Sequence, residues 1–227
     1  GRISRVQYHQ LIEGLKTDKE MEEYADDYRD FVMERYNAAK SETTDAIILL
    51  EQRLDFSEWA PEGFGTGDAV IVSDKRLEVI DLKYGKGVPI SAKDNPQLRL
   101  YGLGAAAKFG FLFGINDIHM TIYQPRLDNI STEILTQEEL FAWRESIKEK
   151  AKAAFMGEGT AVAGKHCDDG FCKARPVCRA YYERNLRAAK FDFKRPNTMT
   201  KEEIAEAIDL SEQLVKWSKT VKHYALT

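Results

Sequence analysis

The sequence has no long apolar run. Its most apolar stretch, Gly102 to Ile115, is broken by Lys108 and several glycines, far from the roughly 20 apolar residues that span a bilayer. A membrane partner is therefore not expected. Arg2, Arg5 and His9 interrupt the start where a secretory signal needs an apolar core, so none is expected there either. Cysteine is scarce: three residues of 227, an odd number that completes no disulfide framework and fits a reducing compartment. A basic excess is also missing. The net charge of −4 weighs, taken alone, against a nucleic-acid partner. Internal repeats and low-complexity linkers are absent. What is present is 43% hydrophobic residues, enough to fill the core of one large domain or a domain with an appendage. The expected protein is soluble and cytoplasmic.

The charge is unevenly placed. Asp18 to Glu34 holds eight acidic and two basic residues, whereas Lys165 to Arg195 holds nine basic and four acidic ones. An acidic helix thus hides a basic segment from the sum, although either can also be an ordinary solvated face. All three cysteines fall inside that basic segment, within twelve residues.

Spacing predicts the elements. Met21, Tyr24, Tyr28, Phe31, Val32 and Tyr36 recur at helical intervals over Lys19 to Tyr36. Ala46 to Phe56 reads as a strand, and Pro61, Gly63, Gly65 and Gly67 as a loop. Asp68 to Val72 and Leu77 to Tyr84 read as a hairpin across Ser73 to Arg76. A helix is expected over Gln97 to Phe109, strands over His119 to Gln124 and Glu133 to Leu135, and helices over Glu138 to Met156 and Lys201 to Tyr224. Strands with a helix set between them, then helices, imply an α/β core with helical additions.

The informative passages are GTGDAVIV (Gly65 to Val72) and LEVIDLKYGKG (Leu77 to Gly87). Asp81 and Lys83, two apart on a strand, leave the same face, while Ile80 and Leu82 point into an apolar layer. Asp68, opening the preceding strand, can lie beside Asp81 across the ladder. Converging carboxylates repel, and a hard cation relieves them: Mg²⁺ takes one or two carboxylates and keeps other positions for water and phosphate oxygen. A lysine on that face can orient or deprotonate the attacking water and stabilise charge on phosphorus. The bland alternative is an Asp–Lys cross-strand ion pair with Asp68 in a turn. Gln97 and Tyr101, four apart, share a helix face that can hydrogen-bond phosphate or stack on a base. His119 on its apolar strand reads as a core or edge histidine, and Trp143 and Trp217 on apolar helix faces read as core.

In this order and spacing, GTGD, VIDLKYGKG and QLRLYGLG resemble the PD-(D/E)xK nuclease superfamily, in particular its RecB-like exonuclease branch. A set of RecB-like proteins associated with phages and prophages is most similar, and IYQPR (Ile122 to Arg126) also fits it. The resemblance covers roughly residues 46–187. It implies a restriction-endonuclease-like α/β core, a mixed sheet flanked by helices over residues 1–160, with residues 161–227 a cysteine-containing helical extension packed on that core. It also implies Asp68 and Asp81 as ligands of Mg²⁺ or Mn²⁺, Lys83 as the catalytic lysine, and Gln97 and Tyr101 as DNA contacts. Glu51 matches an acidic position near the metal. Implied partners are DNA and phage recombination or replication proteins, in a bacterial or phage-infected cell. The family's upstream histidine or glutamate has no clear match in His9, Glu23 or Glu34, so either it precedes Gly1 or the site is incomplete.

Cys167, Cys172 and Cys178 form C-x₄-C-x₅-C, a spacing suited to zinc or an iron–sulfur cluster, with His166 as a possible fourth zinc ligand. Reduced thiols in a loop without metal are the plain alternative. The resemblance implies a [4Fe–4S] cluster with one further cysteine upstream of the core. Lys165, Lys173, Arg175, Arg179, Arg184 and Arg187 are candidates for the DNA backbone. Two other functional classes fit less of the sequence: a catalytically silent DNA-binding module, and a metal-binding structural adaptor.

Overall fold

The structure, a computed structural model, describes residues 19–110, 113–169, 172–187 and 195–226. His9 lies outside them. The chain divides into two compact units, residues 1–157 and residues 158–227.

The first unit is built on one five-stranded mixed sheet with the strand order β1-β2-β3-β4-β5. These are β1 (Ile47–Asp55), β2 (Phe64–Ser73), β3 (Arg76–Leu82), β4 (Asp117–Gln124) and β5 (Asn129–Thr136). Pairing is antiparallel except between β3 and β4, which run parallel. A parallel pair needs a long crossover, and the chain from Lys83 to Asn116 supplies it with helix α2 (Pro96–Phe109). The described part of this unit also contains helices α1 (Lys19–Glu42) and α3 (Gln137–Phe155).

Alternation along the strands separates two apolar layers. Val70, Val72, Leu77, Val79, Ile118, Met120 and Ile122 pack with Leu98, Leu103 and Leu140 of α2 and α3. Ala69, Ile71, Ile80 and Tyr123 pack with Val32 and Ala39 of α1, with Tyr28, Phe31 and Leu82 at the margin. The small residues of α2 let it lie close to the sheet: a Cβ on Gly104 would stand 3.1 Å from Asp55 O and Leu54 Cβ. Helix α1 is pinned by Arg35, which donates to both oxygens of the buried Glu78 at 2.6 and 3.2 Å. A buried carboxylate needs such a partner.

Three expectations are corrected. Gly65 and Gly67 are strand residues, not a loop, because β2 starts at Phe64. A Cβ on Gly67 would lie 3.1 Å from Leu54 and Val70 atoms, so glycine here serves close packing rather than a turn. Asp68 is consequently the fifth residue of β2, not its first. Lys83 lies just past β3, whose last residue is Leu82.

The second unit contains α4 (Lys165–Asp169), α5 (Arg179–Leu186) and the long α6 (Lys201–Leu226). Asp168 holds its centre, accepting from the Tyr181 hydroxyl and from Arg184, both at 2.9 Å. No helix among the described residues is long and apolar enough to cross a membrane.

Candidate active site on the β2–β3 hairpin

Asp68 and Asp81 come together because of register. The β2–β3 ladder pairs Ala69 with Ile80, and the next position on each strand is Asp68 opposite Asp81. Here the strands part. Asp68 Oδ2 accepts the Leu82 amide at 2.6 Å, where a backbone carbonyl would otherwise serve. Lys83 N donates to Tyr123 O of β4 at 2.8 Å, so the chain just past β3 is held from both sides.

Asp81 is 3% exposed. Lys83 Nζ lies 2.7 Å from its Oδ2. The approach is that of an ion pair without hydrogen-bond alignment, and Oδ2 is a buried oxygen with no hydrogen-bond partner. Burial pushes the Asp81 carboxyl up from its ordinary range, Lys83 opposes that, and the charge of Asp68 adds to it. Both remedies for a buried carboxylate, protonation and a cation, are thus in play at one atom.

Register also places Glu51 next to these strands' acidic positions. Leu50 pairs with Ala69 and Gln52 with Gly67, which leaves Glu51 opposite Asp68. Its φ of 49° puts a non-glycine residue in the left-handed region in mid-strand. Such a conformation costs about 1–3 kcal/mol and clusters at functional positions.

Tyr28 of α1 is a residue that sequence reasoning assigned only to a helix face. Its buried hydroxyl has no hydrogen-bond partner. Burial first, then the charges of Asp68, Asp81 and Glu51, push its pKa upward, so the phenol stays protonated beside the carboxylates. Glu23 and Glu34 of α1 are exposed. The helix therefore brings a neutral donor to the acidic group.

Gln97 and Tyr101 share a face of α2 as expected: Gln97 Nε2 donates to the Tyr101 hydroxyl at 2.9 Å. Asn95 caps the helix, accepting from the amides of Gln97 and Leu98. The Tyr101 ring rests on β2 where a Cβ on Gly65 would penetrate it. The glycine of GTGD and the tyrosine of the helix motif thus fit one another.

The segment between β3 and α2 is fastened by side chains with no sequence signal of their own. Gln124 Oε1 accepts from Ile90 N and Asn129 Nδ2, both at 2.6 Å. Ser131 Oγ accepts from Ala92 N at 2.9 Å. Glu133 accepts from Asp94 N at 2.9 Å and from Arg99 at 2.6 and 2.8 Å. In IYQPR, Gln124 acts as this fastener, while Arg126 lies over the Tyr84 ring, 4.8 Å from its centroid.

A Mg²⁺ or Mn²⁺ ion needs only one or two protein carboxylates. Asp68 and Asp81, with the orphaned Asp81 Oδ2, fit that requirement. The cysteines are placed otherwise. Cys167 is buried, Cys178 half-buried and Cys172 exposed, and all three are free thiols. Among the described residues no group of three or more His, Cys, Asp or Glu is arranged to hold a metal, neither the cysteines nor Asp68, Asp81 and Glu51 taken together. No chemical step is derived through a cluster at the cysteines. His119 of β4 is half-buried beside Glu78, with Nδ1 unpartnered, and burial holds its pKa below the ordinary value.

A solved structure titled "Crystal structure of SSO0001" is 16% identical over 66% of this chain and 68% of that one, with a TM-score of 0.29. That degree of overlap carries no inference about fold or function. Residues 3–227 match the family described as "Protein of unknown function (DUF2800)". The match spans nearly the whole chain, which therefore belongs to the DUF2800 family.

Proposed function

We propose that this chain is the core of a divalent-metal-dependent DNA nuclease of exonuclease type. On this reading residues 1–160 form a restriction-endonuclease-like core and residues 161–227 a helical extension. The observation that carries it is the buried carboxylate of Asp81, opposite Asp68 in register and ion-paired with Lys83 Nζ at 2.7 Å. Asp68 and Asp81 would hold Mg²⁺ or Mn²⁺, with Glu51 beside them. A cation there supplies Lewis-acid polarisation and compensates the carboxylate charge. Lys83, ion-paired with Asp81 in the structure, would as an ammonium orient the attacking water and donate hydrogen bonds to the charge developing on phosphorus, and only as a neutral amine would it take the water's proton. Gln97 and Tyr101 orient the strand from α2, and the protonated Tyr28 offers a hydrogen bond to a negatively charged oxygen. The partner is DNA, in a bacterial or phage-infected cytoplasm with phage recombination or replication proteins. Cys167, Cys172 and Cys178 remain proposed zinc or [4Fe–4S] ligands outside this chemistry.

The test is hydrolysis of linear, circular and single-stranded DNA with Mg²⁺ or Mn²⁺. Asp81→Asn should abolish both metal binding and cleavage, whereas Lys83→Ala should keep metal binding and lose turnover. Cleavage undiminished by EDTA would overturn the mechanism. The close Lys83–Asp81 pair favours one second reading, a silent DNA-binding module in which lysine replaces the metal. DNA binding without cleavage under every metal tested would select it.

A further inference from the structure

Helix α6 carries an unexpected face. Lys216, Lys219, Thr220, His223 and Tyr224 fall at i, i+3, i+4, i+7 and i+8, the spacing that ordinarily presents an apolar stripe to a neighbour. Here it lines a cleft of about 770 Å³ whose other wall includes Asp168, Cys172, Lys173, Arg175 and Pro176. Among the described lining residues the single carboxylate, Asp168, is already engaged by Tyr181 and Arg184. Among the described residues no carboxylate pairs with Lys173, Lys216 or Lys219. Arg175 donates to Cys167 O at 3.2 Å, and its Nε is buried without a partner. Four permanent cations around one recess repel each other, and a polyanion would relieve them. Tyr224, on the same helix face, is 58% exposed.

We infer that this cleft binds the phosphodiester backbone of single-stranded nucleic acid. Lys173, Arg175, Lys216 and Lys219 contact phosphates, and Tyr224 stacks on a base. Cations that track a backbone beside an aromatic platform are how proteins hold single strands without reading their sequence. The binding belongs to residues 158–227 and does not require hydrolysis at Asp81.

The experiment uses the full chain in EDTA with a fluorescent oligothymidylate, followed by anisotropy across a salt series. Lys216→Ala/Lys219→Ala should weaken binding about tenfold and make the slope of log K against log[salt] shallower by about 1.4, since each lost phosphate contact on a single strand contributes about 0.7. Tyr224→Ala should also weaken binding about tenfold, with an unchanged slope. Both lysines are exposed, so the double variant should keep the wild-type circular dichroism. Lys173→Ala, on the other wall, checks the result independently. Lys150→Ala/Lys152→Ala, exposed lysines of α3 in the first unit, should bind as wild type, so that loss of binding is assigned to the second unit. An unchanged salt slope in the double variant would overturn the proposal. So would displacement by inorganic phosphate at equal phosphate concentration, or tighter binding to phosphatidylserine vesicles than to the oligonucleotide.

Discussion

Glu51 holds a left-handed φ inside a strand, opposite Asp68. The left-handed region costs a residue with a Cβ about 1–2 kcal/mol, against about 0.5–1 kcal/mol for the chain entropy that glycine adds. Glu51→Gly should therefore raise stability by about 0.5–1 kcal/mol in urea titration while lowering cleavage. A variant that is less stable and equally active would remove Glu51 from the site. Gly65 is constrained in the opposite sense, by what lies above it. Gly65→Ala should displace the Tyr101 ring and cost about 1–3 kcal/mol. In Tyr101→Ala the same change should cost much less. Strict additivity of the two substitutions would show that the ring does not rest on this strand.

At the level of elements, the crossover is shaped by β4 and β5. Glu133 is 8% exposed, and hydrogen bonds from Arg99 hold its carboxyl below the ordinary range. A depressed carboxylate contributes stability that is complete above the unfolded-state value, about 4.3, and is lost as pH falls through the folded one. Glu133→Gln should therefore cost about 1.5–3 kcal/mol at neutral pH. Its melting temperature should approach that of the wild type as pH falls below about 4. A gap independent of pH would mean that packing, not charge, is lost. Gln124→Ala should leave the Ile90 amide unprotected in hydrogen exchange while β3 stays protected. These fasteners were not legible in sequence, because Gln124 and Ile90 are 34 residues apart and nothing local marks the pair. The strands and helices were legible, since alternation and helical spacing are local. Asp81 and Lys83 could be put on one face by parity alone. The start of β2 is not legible in sequence, because Gly65 and Gly67 have the look of a turn and only the fold brings Tyr101 and Leu54 into the space they leave. Tyr28 was invisible as a site residue because only the packing of α1 brings its hydroxyl to the carboxylates.

Across the whole molecule, the boundary between the two units falls after Gly157. Residues 158–164 carry no helix or strand, and Glu158 to Val162 are exposed. A glutamate-specific protease under limiting conditions should cut at Glu158, and the fragment ending there should unfold cooperatively. A broad, non-cooperative transition would show that the first unit depends on the second. Charge follows the same division. The acidic run Asp18 to Glu34 lies in the first unit and the basic run Lys165 to Arg195 in the second, which is why the net figure of −4 said so little about partners.

The single parallel pair in the sheet also imposes an order in time. β1, β2 and β3 meet through short connections, but β4 reaches β3 only after the chain from Lys83 to Asn116 has closed on itself. Closing a longer loop costs more entropy before any contact compensates it, so sequence-distant pairings form late. Truncations in the three-strand meander, such as Val70→Ala, should slow refolding, while Met120→Ala in β4 should mainly hasten unfolding. During refolding Asp68 comes to lie opposite Asp81 while the helix that will carry Gln97 and Tyr101 is still undocked.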